Sequence, residues 1–536
     1  MTVLSTMAHT SISWVTELLT RNSALGVKIL GASYILYKAW RIIYLLKFAP
    51  LSKIPGSWFC KVSKFTCHYN TFFGKLPDTC EADYYKYGDI CVLGPKAVMI
   101  SNPADCKMVL GTHKFRKNNV YKRLAVLAET MFSTQSGEFS HMRRRQVGHA
   151  FNHSYVGAME PTIIECGIQA LRRKWDGYLS QSPDGEAIVP YGLHFSLTSF
   201  DIIGALAYGE RFDTLQNNTS KVVQWVTHYN ALGLVRTVFK TTDWFPLNLL
   251  IKPLEQSISE LVAFGDAAAS RRREQLKSGV LAEKPKDLLQ ALLDAEDPES
   301  RIRMTQEQIT AENVGFLVGG TDTTSLTLSW TLHYLLLHPH LYKRAVQEVR
   351  AKFPRNHTIT YAEGKAQLPF IDACIHESMR IRSVSGVFLP RMVPDEGATI
   401  QGHYLPPGTQ VAVNIAGAHH HKETWDQPRR FMPERFLGAG EKMKQNIITF
   451  SSGVRICPGR NLAQYEMMTI FANLLKDYDF ELAPDSLFRP DRIDKDGYPI
   501  AMPRTHGLTV LPKYPDRDCR AIIRHAPESS FAVCVS

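Results

Sequence analysis

Phe450-Ser451-Ser452-Gly453-Val454-Arg455-Ile456-Cys457-Pro458-Gly459 is the stretch on which the reading of this 536-residue chain turns. It sets one cysteine in a glycine-bounded loop, and a helical pattern begins directly after it at Arg460. A sulfur in that place faces the amide donors and positive dipole end of the following helix, which favours a thiolate. Pro458 suits a helix start because it has no amide hydrogen to satisfy. Gly453 and Gly459 let the backbone turn tightly and approach something flat and bulky. Arg455 adds a permanent charge and Phe450 an aromatic wall. A lone cysteine in a turn is usually a buried structural residue; the four residue types spaced around this one weigh against that reading.

The order F-x-x-G-x-R-x-C-x-G resembles the haem-binding loop of the cytochrome P-450 superfamily, and the resemblance implies that Cys457 is the proximal ligand of haem iron. A second signal lies upstream. Thr305-Gln-Glu-Gln308 has the form of a capping box, and an apolar pattern runs from it to His338-Pro339. A helix of that length is roughly 50 Å long, enough to cross a domain. Its middle, Gly319-Gly320-Thr321-Asp322-Thr323-Thr324, is poor helix-forming material and predicts a local bulge. Hydroxyls bonded back to helix carbonyls are the plainer alternative. The run resembles the family's oxygen-activation motif at Gly320, Asp322, Thr323 and Thr324. On that resemblance Thr323 hydrogen-bonds dioxygen and Asp322 feeds protons inward.

Glu377-Ser-Met-Arg380 places two opposite charges three residues apart on one helix face. Alone this signal is weak, because surface pairs of this kind are everywhere. Pro433-Glu-Arg435-Phe436 resembles the segment that completes the family's buried Glu-Arg-Arg cluster, with Arg435 as the matching residue. These three are assigned to structure around the cysteine loop. Haem propionates need cationic partners. By resemblance these are Arg145 with His141 (in His141-Met-Arg-Arg-Arg145), Arg391 and Arg455. Arg143 and Arg144 fall outside the match and are left to a partner surface.

Composition is that of an ordinary globular protein, 44% hydrophobic and 21% charged, with net charge +11. No recognition module or aromatic-interleaved basic stripe accompanies the basic groups, so an acidic protein partner or an anionic membrane fits better than nucleic acid. Ten cysteines occur without a C-x-x-C pair, which argues against a zinc module and for reduced thiols facing the cytosol. Residues 1–48 read as a leader with an apolar anchor at 24–48. A tilted bilayer span and an interfacial helix are both open there, and the basic residues 38–53 are placed on the cytosolic side. Residues 49–56, with Pro50, Pro55 and Gly56, form a stiff hinge. The apolar leader and proline-rich hinge resemble microsomal members of the family, most like fungal ones.

The resemblance covers residues from about 50 to 513. It implies a mainly α fold with small β-sheets, one large haem-binding domain (57–513), followed by a polar tail (514–536) that is expected to fray. The segment Val222–Leu254, rich in Trp and Phe, reads by default as core, with a substrate roof or second membrane contact as alternatives. The implied activity is monooxygenation of a mainly apolar small molecule in fungal secondary metabolism, with haem b and dioxygen. Val387, Phe388 and Leu389 are among the implied pocket residues. No nicotinamide or flavin fold is recognisable in the chain, so electrons come from NADPH through a separate flavoprotein reductase. The implied location is the endoplasmic reticulum membrane, with the catalytic domain facing the cytosol. Two other readings stay open: a haem-thiolate isomerase, dehydratase or peroxygenase, and a membrane-tethered haem carrier or gas sensor.

Overall fold

The computed structural model describes residues 27–218, 221–239, 244–246, 248–385 and 388–531. The leader up to residue 26, Val387 and residues 532–536 lie outside the described residues.

The capping box forms as expected. Thr305 accepts from the Gln308 amide and the Gln308 side chain accepts from the Thr305 amide, opening a helix over Gln306–Leu337. His338-Pro339 ends it, and the next helix starts at Pro339. This long helix runs through the main core, packed on helices Tyr191–Tyr208, Asn248–Lys277, Pro369–Ile381 and Arg460–Asp477. Its lower half (Leu328, Trp330, Leu332, Leu335, Leu337) is buried on all sides. A helix apolar all round needs such a coat of neighbours.

The β structure is small. One sheet has the order Ile90–Gly94, Ala97–Ile100, Gln410–Asn414, Phe388–Met392, Arg116–Lys117, antiparallel except between its second and third strands. The hinge packs onto this sheet: Leu51 and Ile54 are buried in its cluster, and the Val92 amide donates to the Pro55 carbonyl at 2.9 Å. Ahead of the hinge, helix Val27–Lys47 is long and apolar enough to cross a membrane and buries none of that surface within the protein.

Three expectations need correction. The bulge predicted at 319–324 is absent, because the hydroxyls of Thr321, Thr323, Ser325 and Thr327 bond the carbonyls four residues back and the ladder stays α-helical. A π-helical turn occurs instead at Glu165–Gln169. The tail does not fray at 514. Ala521–His525 is the central strand of a sheet, between Ala187–Val189 and Tyr478–Leu482, with Ala521 and Ile523 fully buried. Its apolar signal, Ala-Ile-Ile, is too short to stand out between polar neighbours. Finally, the aromatic segment after Val222 is only half core. Trp225, Val226 and Leu232 are buried, whereas Phe239, Trp244, Phe245 and Leu250 are exposed, Phe245 by 81%.

Candidate active site

The cysteine loop is a closed turn. The Cys457 amide donates to the Phe450 carbonyl at 2.8 Å and the Ile456 amide to the Gly453 carbonyl at 3.1 Å. Gly453 has φ +62°, and a Cβ there would stand 2.4 Å from the Gly111 Cα, so both conformation and contact exclude a side chain. Gly459 caps helix Arg460–Asp477, and Phe450 packs against the main core.

Cys457 differs from its fellows. Among the described cysteines it is the exposed one, the rest being buried or partly so. Protein crowds the sulfur on its remaining sides, and that burial pushes the thiol up; the Gly459 amide and the charges of Arg144 and Arg460 oppose it. The helix start therefore assists a thiolate without outweighing desolvation. A bound cation tips that balance, since a coordinating thiol is deprotonated outright.

Beside the loop stands a cluster of cations, Arg144, Arg391, Arg455 and Lys117, for which no ion pair to a carboxylate forms among the described residues. Arg144 donates to the Ile456 carbonyl, Arg455 to the Ser136 carbonyl at 3.1 Å, and Arg391 to the Tyr121 hydroxyl at 3.0 Å. Lys117 is the cross-strand partner of Arg391, an arrangement that costs stability for like charges. Burial and then the charges of Arg391 and Arg144 bring Arg455 down to about 10. Burial, followed by Arg455, Arg391 and Arg144, pushes the Lys117 ammonium well below its usual range. Arg144 Nε and Arg455 Nη1 are buried without a partner. Unpaired donors on mutually repelling cations suit a ligand carrying two negative charges, as the two propionates of haem do.

The three consecutive arginines point three ways. Arg143 is fully buried against Glu312 at 3.2 Å. Arg144 faces the cysteine loop. Arg145 turns outward to bind Asp297 at 2.6 and 2.9 Å, with exposed His141 beside it at 3.1 Å. Each helical residue is rotated about 100° from the last, so a shift of one position changes the face. Of the cations expected near the loop, Arg145 therefore faces Asp297 with His141 beside it, and it is Arg144 that the structure brings to the cysteine loop, while Arg143 is buried against Glu312.

The middle of the long helix presents an open lane. A Cβ on Gly315 or Gly319 would meet nothing within 4 Å, and Thr323 continues the same i, i+4 row. Gly320 faces the other way, where a Cβ would stand 2.9 Å from Ile203. The groove expected from a bulge thus comes from missing side chains. Thr323 Oγ1 donates to the Gly319 carbonyl at 2.8 Å, and Asp322 accepts from Asn230 at 3.0 Å. Burial raises the Asp322 carboxyl, opposed by that one bond.

Glu377 and Arg380 are fully buried and joined at 2.7 and 2.8 Å, with Arg435 at 3.1 Å from Glu377. Arg380 also donates to the carbonyls of His419 and Pro428, both at 2.8 Å, and Glu377 accepts from the Met432 amide at 2.9 Å. His419, unmarked by any sequence signal, extends this cluster to the loop. Its Nε2 accepts from the Ile448 amide at 2.9 Å, so its Nδ1 carries the proton and donates to the Arg380 carbonyl at 3.1 Å. Burial and the Arg380 charge hold its pKa down to about 3, which keeps the ring neutral.

The family model for cytochrome P-450 matches residues 56–505. The chain belongs to the cytochrome P-450 family. Among its relatives are the cytochrome P-450 monooxygenases helB1 and helB2 of Aspergillus fumigatus. Each is 38% identical, over 94% of this chain and 86% of helB1, and over 92% of this chain and 98% of helB2. The cytochrome P-450 monooxygenase prhB of Penicillium brasilianum is 28% identical over 83% of this chain and 91% of its own. The P-450 described here is an oxidoreductase, a monooxygenase, with haem b as its cofactor.

Proposed function

We propose that this P-450 holds haem b through Cys457 as the axial ligand, with the propionates bound by Arg144, Arg391 and Arg455, and oxidises a mainly apolar small molecule in fungal secondary metabolism. The observation that carries the reading is Cys457, the exposed residue among the described cysteines, beside buried, unpartnered arginine donors. Haem ligated by a thiolate supplies the redox chemistry: with two electrons and two protons, one atom of dioxygen enters the substrate and the other leaves as water.

The chain's own share is binding, orientation and protons. Gly315 and Gly319 clear a lane along the long helix for a flat ligand. Thr323 presents a hydroxyl in that lane, already bonded to its own helix and so fixed in direction. Asp322, one residue before it, has a carboxyl that burial raises above its ordinary value, which suits it to take a proton from solvent and pass it towards Thr323. Glu377, Arg380, Arg435 and His419 are positioning residues that set the cysteine loop.

Electrons come from NADPH by way of a separate flavoprotein reductase. The chain's net charge of +11 supports docking to an acidic partner. Helix Val27–Lys47 anchors the enzyme in the endoplasmic reticulum membrane with the domain in the cytosol. A second membrane contact is made by Phe72, Phe73, Phe239, Trp244, Phe245 and Leu250, which are exposed; Phe72 and Phe239 pack edge to face at 5.5 Å. The test is to reduce the purified enzyme under carbon monoxide. The absorption band of sulfur-ligated haem is expected, and Cys457→Ser abolishes it; a band that survives the substitution overturns the assignment.

A further inference from the structure

The roof helix Lys221–Val238 crosses near the Gly/Thr segment of the long helix, and Asn230 joins the two through its Nδ2 hydrogen bond to Asp322 Oδ2 at 3.0 Å. The amide's other end, Oδ1, is buried with no partner. Among the described residues no cation pairs with Asp322. The charged groups on the elements around it are engaged elsewhere. On the roof helix, Lys221 pairs with Glu260 at 3.0 Å, Arg236 with Glu255 at 2.8 Å, and His228 bonds Ser257. On the long helix, Glu312 faces Arg143. Asp201 of the neighbouring helix Tyr191–Tyr208 accepts from the amides of Thr214 and Leu215, and Asp266 of helix Asn248–Lys277 accepts from Gln306.

A neutral partner is an odd choice for a buried carboxylate, since a cation would hold the charge more firmly. An amide has a different advantage: it carries both a donor and an acceptor. With Asp322 ionised, the NH₂ group donates to it, as observed. With Asp322 protonated, a half-turn about the last side-chain torsion, which is broad and roughly two-fold, brings Oδ1 round to accept the carboxyl proton. Lysine or arginine could serve the first state alone, and leucine neither.

We infer that Asn230 is a positioning residue that keeps Asp322 hydrogen-bonded in both of its protonation states, so that the carboxyl loads and releases a proton without losing its place. The inference rests on the reading of Asp322 as the proton carrier. Asn230 itself gains and loses no proton; the proton enters on the Asp322 carboxylate and leaves towards the Thr323 hydroxyl. Burial raises the Asp322 carboxyl, the direction that favours its protonated form.

An infrared pH titration of the full-length holoenzyme, reduced and bound to carbon monoxide, tests this. The stretch of a protonated carboxyl is assigned to Asp322 by its loss in Asp322→Asn. Asn230→Leu is expected to raise the midpoint by about one pH unit and Asn230→Lys to lower it by about one or more. Asn230→Gln, which keeps both groups, stays near the parent value. In parallel, reductase-supported NADPH consumption is measured in ordinary and heavy water. Asn230→Lys is expected to slow it several-fold with a larger solvent isotope effect. Midpoints unmoved in the Leu and Lys variants, with Asp322→Asn still slow, sink the role of Asn230 alone. An Asp322→Asn enzyme with unchanged rate and isotope effect sinks the proton-carrier reading beneath it. The carbon monoxide band reports folding in every variant, and if Asn230→Leu loses it, the Lys and Gln variants decide.

Discussion

The cysteine loop and the middle of the long helix carry the two halves of the proposed site and are stabilised by opposite means. The loop is held from outside. Gly111 presses on Gly453, and the Glu377–Arg380–Arg435 cluster reaches the loop through His419 and Ile448. The helix middle is held from within, by hydroxyls bonded to carbonyls four residues back, and its outside bond from Asp322 goes to a neutral amide. Buried ion pairs fix one geometry because breaking them leaves a charge stranded. Hydroxyls and amides can exchange partners at small cost. On the proposed reading the iron ligand has the first kind of support and the proton route the second.

That contrast predicts effects of different kind and size on the two sides. The largest is at the loop. Glu377→Ala strands Arg380 and Arg435 in the core and removes the acceptor of the Met432 amide, at a cost of about 3–5 kcal/mol. The enzyme should accumulate as haem-free or aggregated protein, read by the ratio of haem to protein absorbance. A well-folded, haem-replete Glu377→Ala enzyme would mean the loop does not depend on the cluster. On the helix, Thr323→Ala removes a hydroxyl whose bond is to its own backbone, so stability should change by no more than about 1 kcal/mol. Turnover should fall roughly ten- to a hundred-fold relative to NADPH consumed, with peroxide released instead. Loss of haem in this variant, or unchanged coupling, would erase the distinction between the two regions.

The loop and the helix differ also in how much of them could be read in advance. Phe450, Gly453, Cys457 and Gly459 act within one short stretch, so their spacing already specifies the turn. The capping box and the proline stop are equally local, and the helix boundaries follow from them. Partners that meet through the fold leave no such trace. His419 joins the Glu377 cluster from far along the chain, Lys117 meets Arg391 across a sheet, and Asn230 reaches Asp322 from another helix. The missing bulge shows a conflict between rules: glycine and threonine are poor helix formers, yet the hydroxyls find carbonyls four residues back and the neighbours supply the packing. The strand Ala521–His525 is legible only once its two flanking strands are in place.

The smallest effect is the sharpest probe of how finely register matters, because it compares neighbours. Arg144→Ala removes a donor facing the cysteine loop and, by the worth of hydrogen bonds to charged groups, should weaken haem retention by about 1.5–3 kcal/mol. Arg145→Ala should leave haem retention unchanged. Its effect is on pH dependence. The hydrogen-bonded Arg145 guanidinium, aided by Ser300, holds the Asp297 carboxyl far below its ordinary value of 3.8. A carboxyl depressed in the folded state stabilises it fully above the unfolded value, and that contribution is lost as pH falls towards the folded one. The parent enzyme should therefore melt higher than Arg145→Ala at about pH 7, with the gap beginning to narrow once pH falls below about 4 and shrinking steadily from there. A constant gap across that range would assign Arg145 a packing role instead. Weakened haem binding in Arg145→Ala, with Arg144→Ala unaffected, would return the propionate contact to the residue that the resemblance first chose.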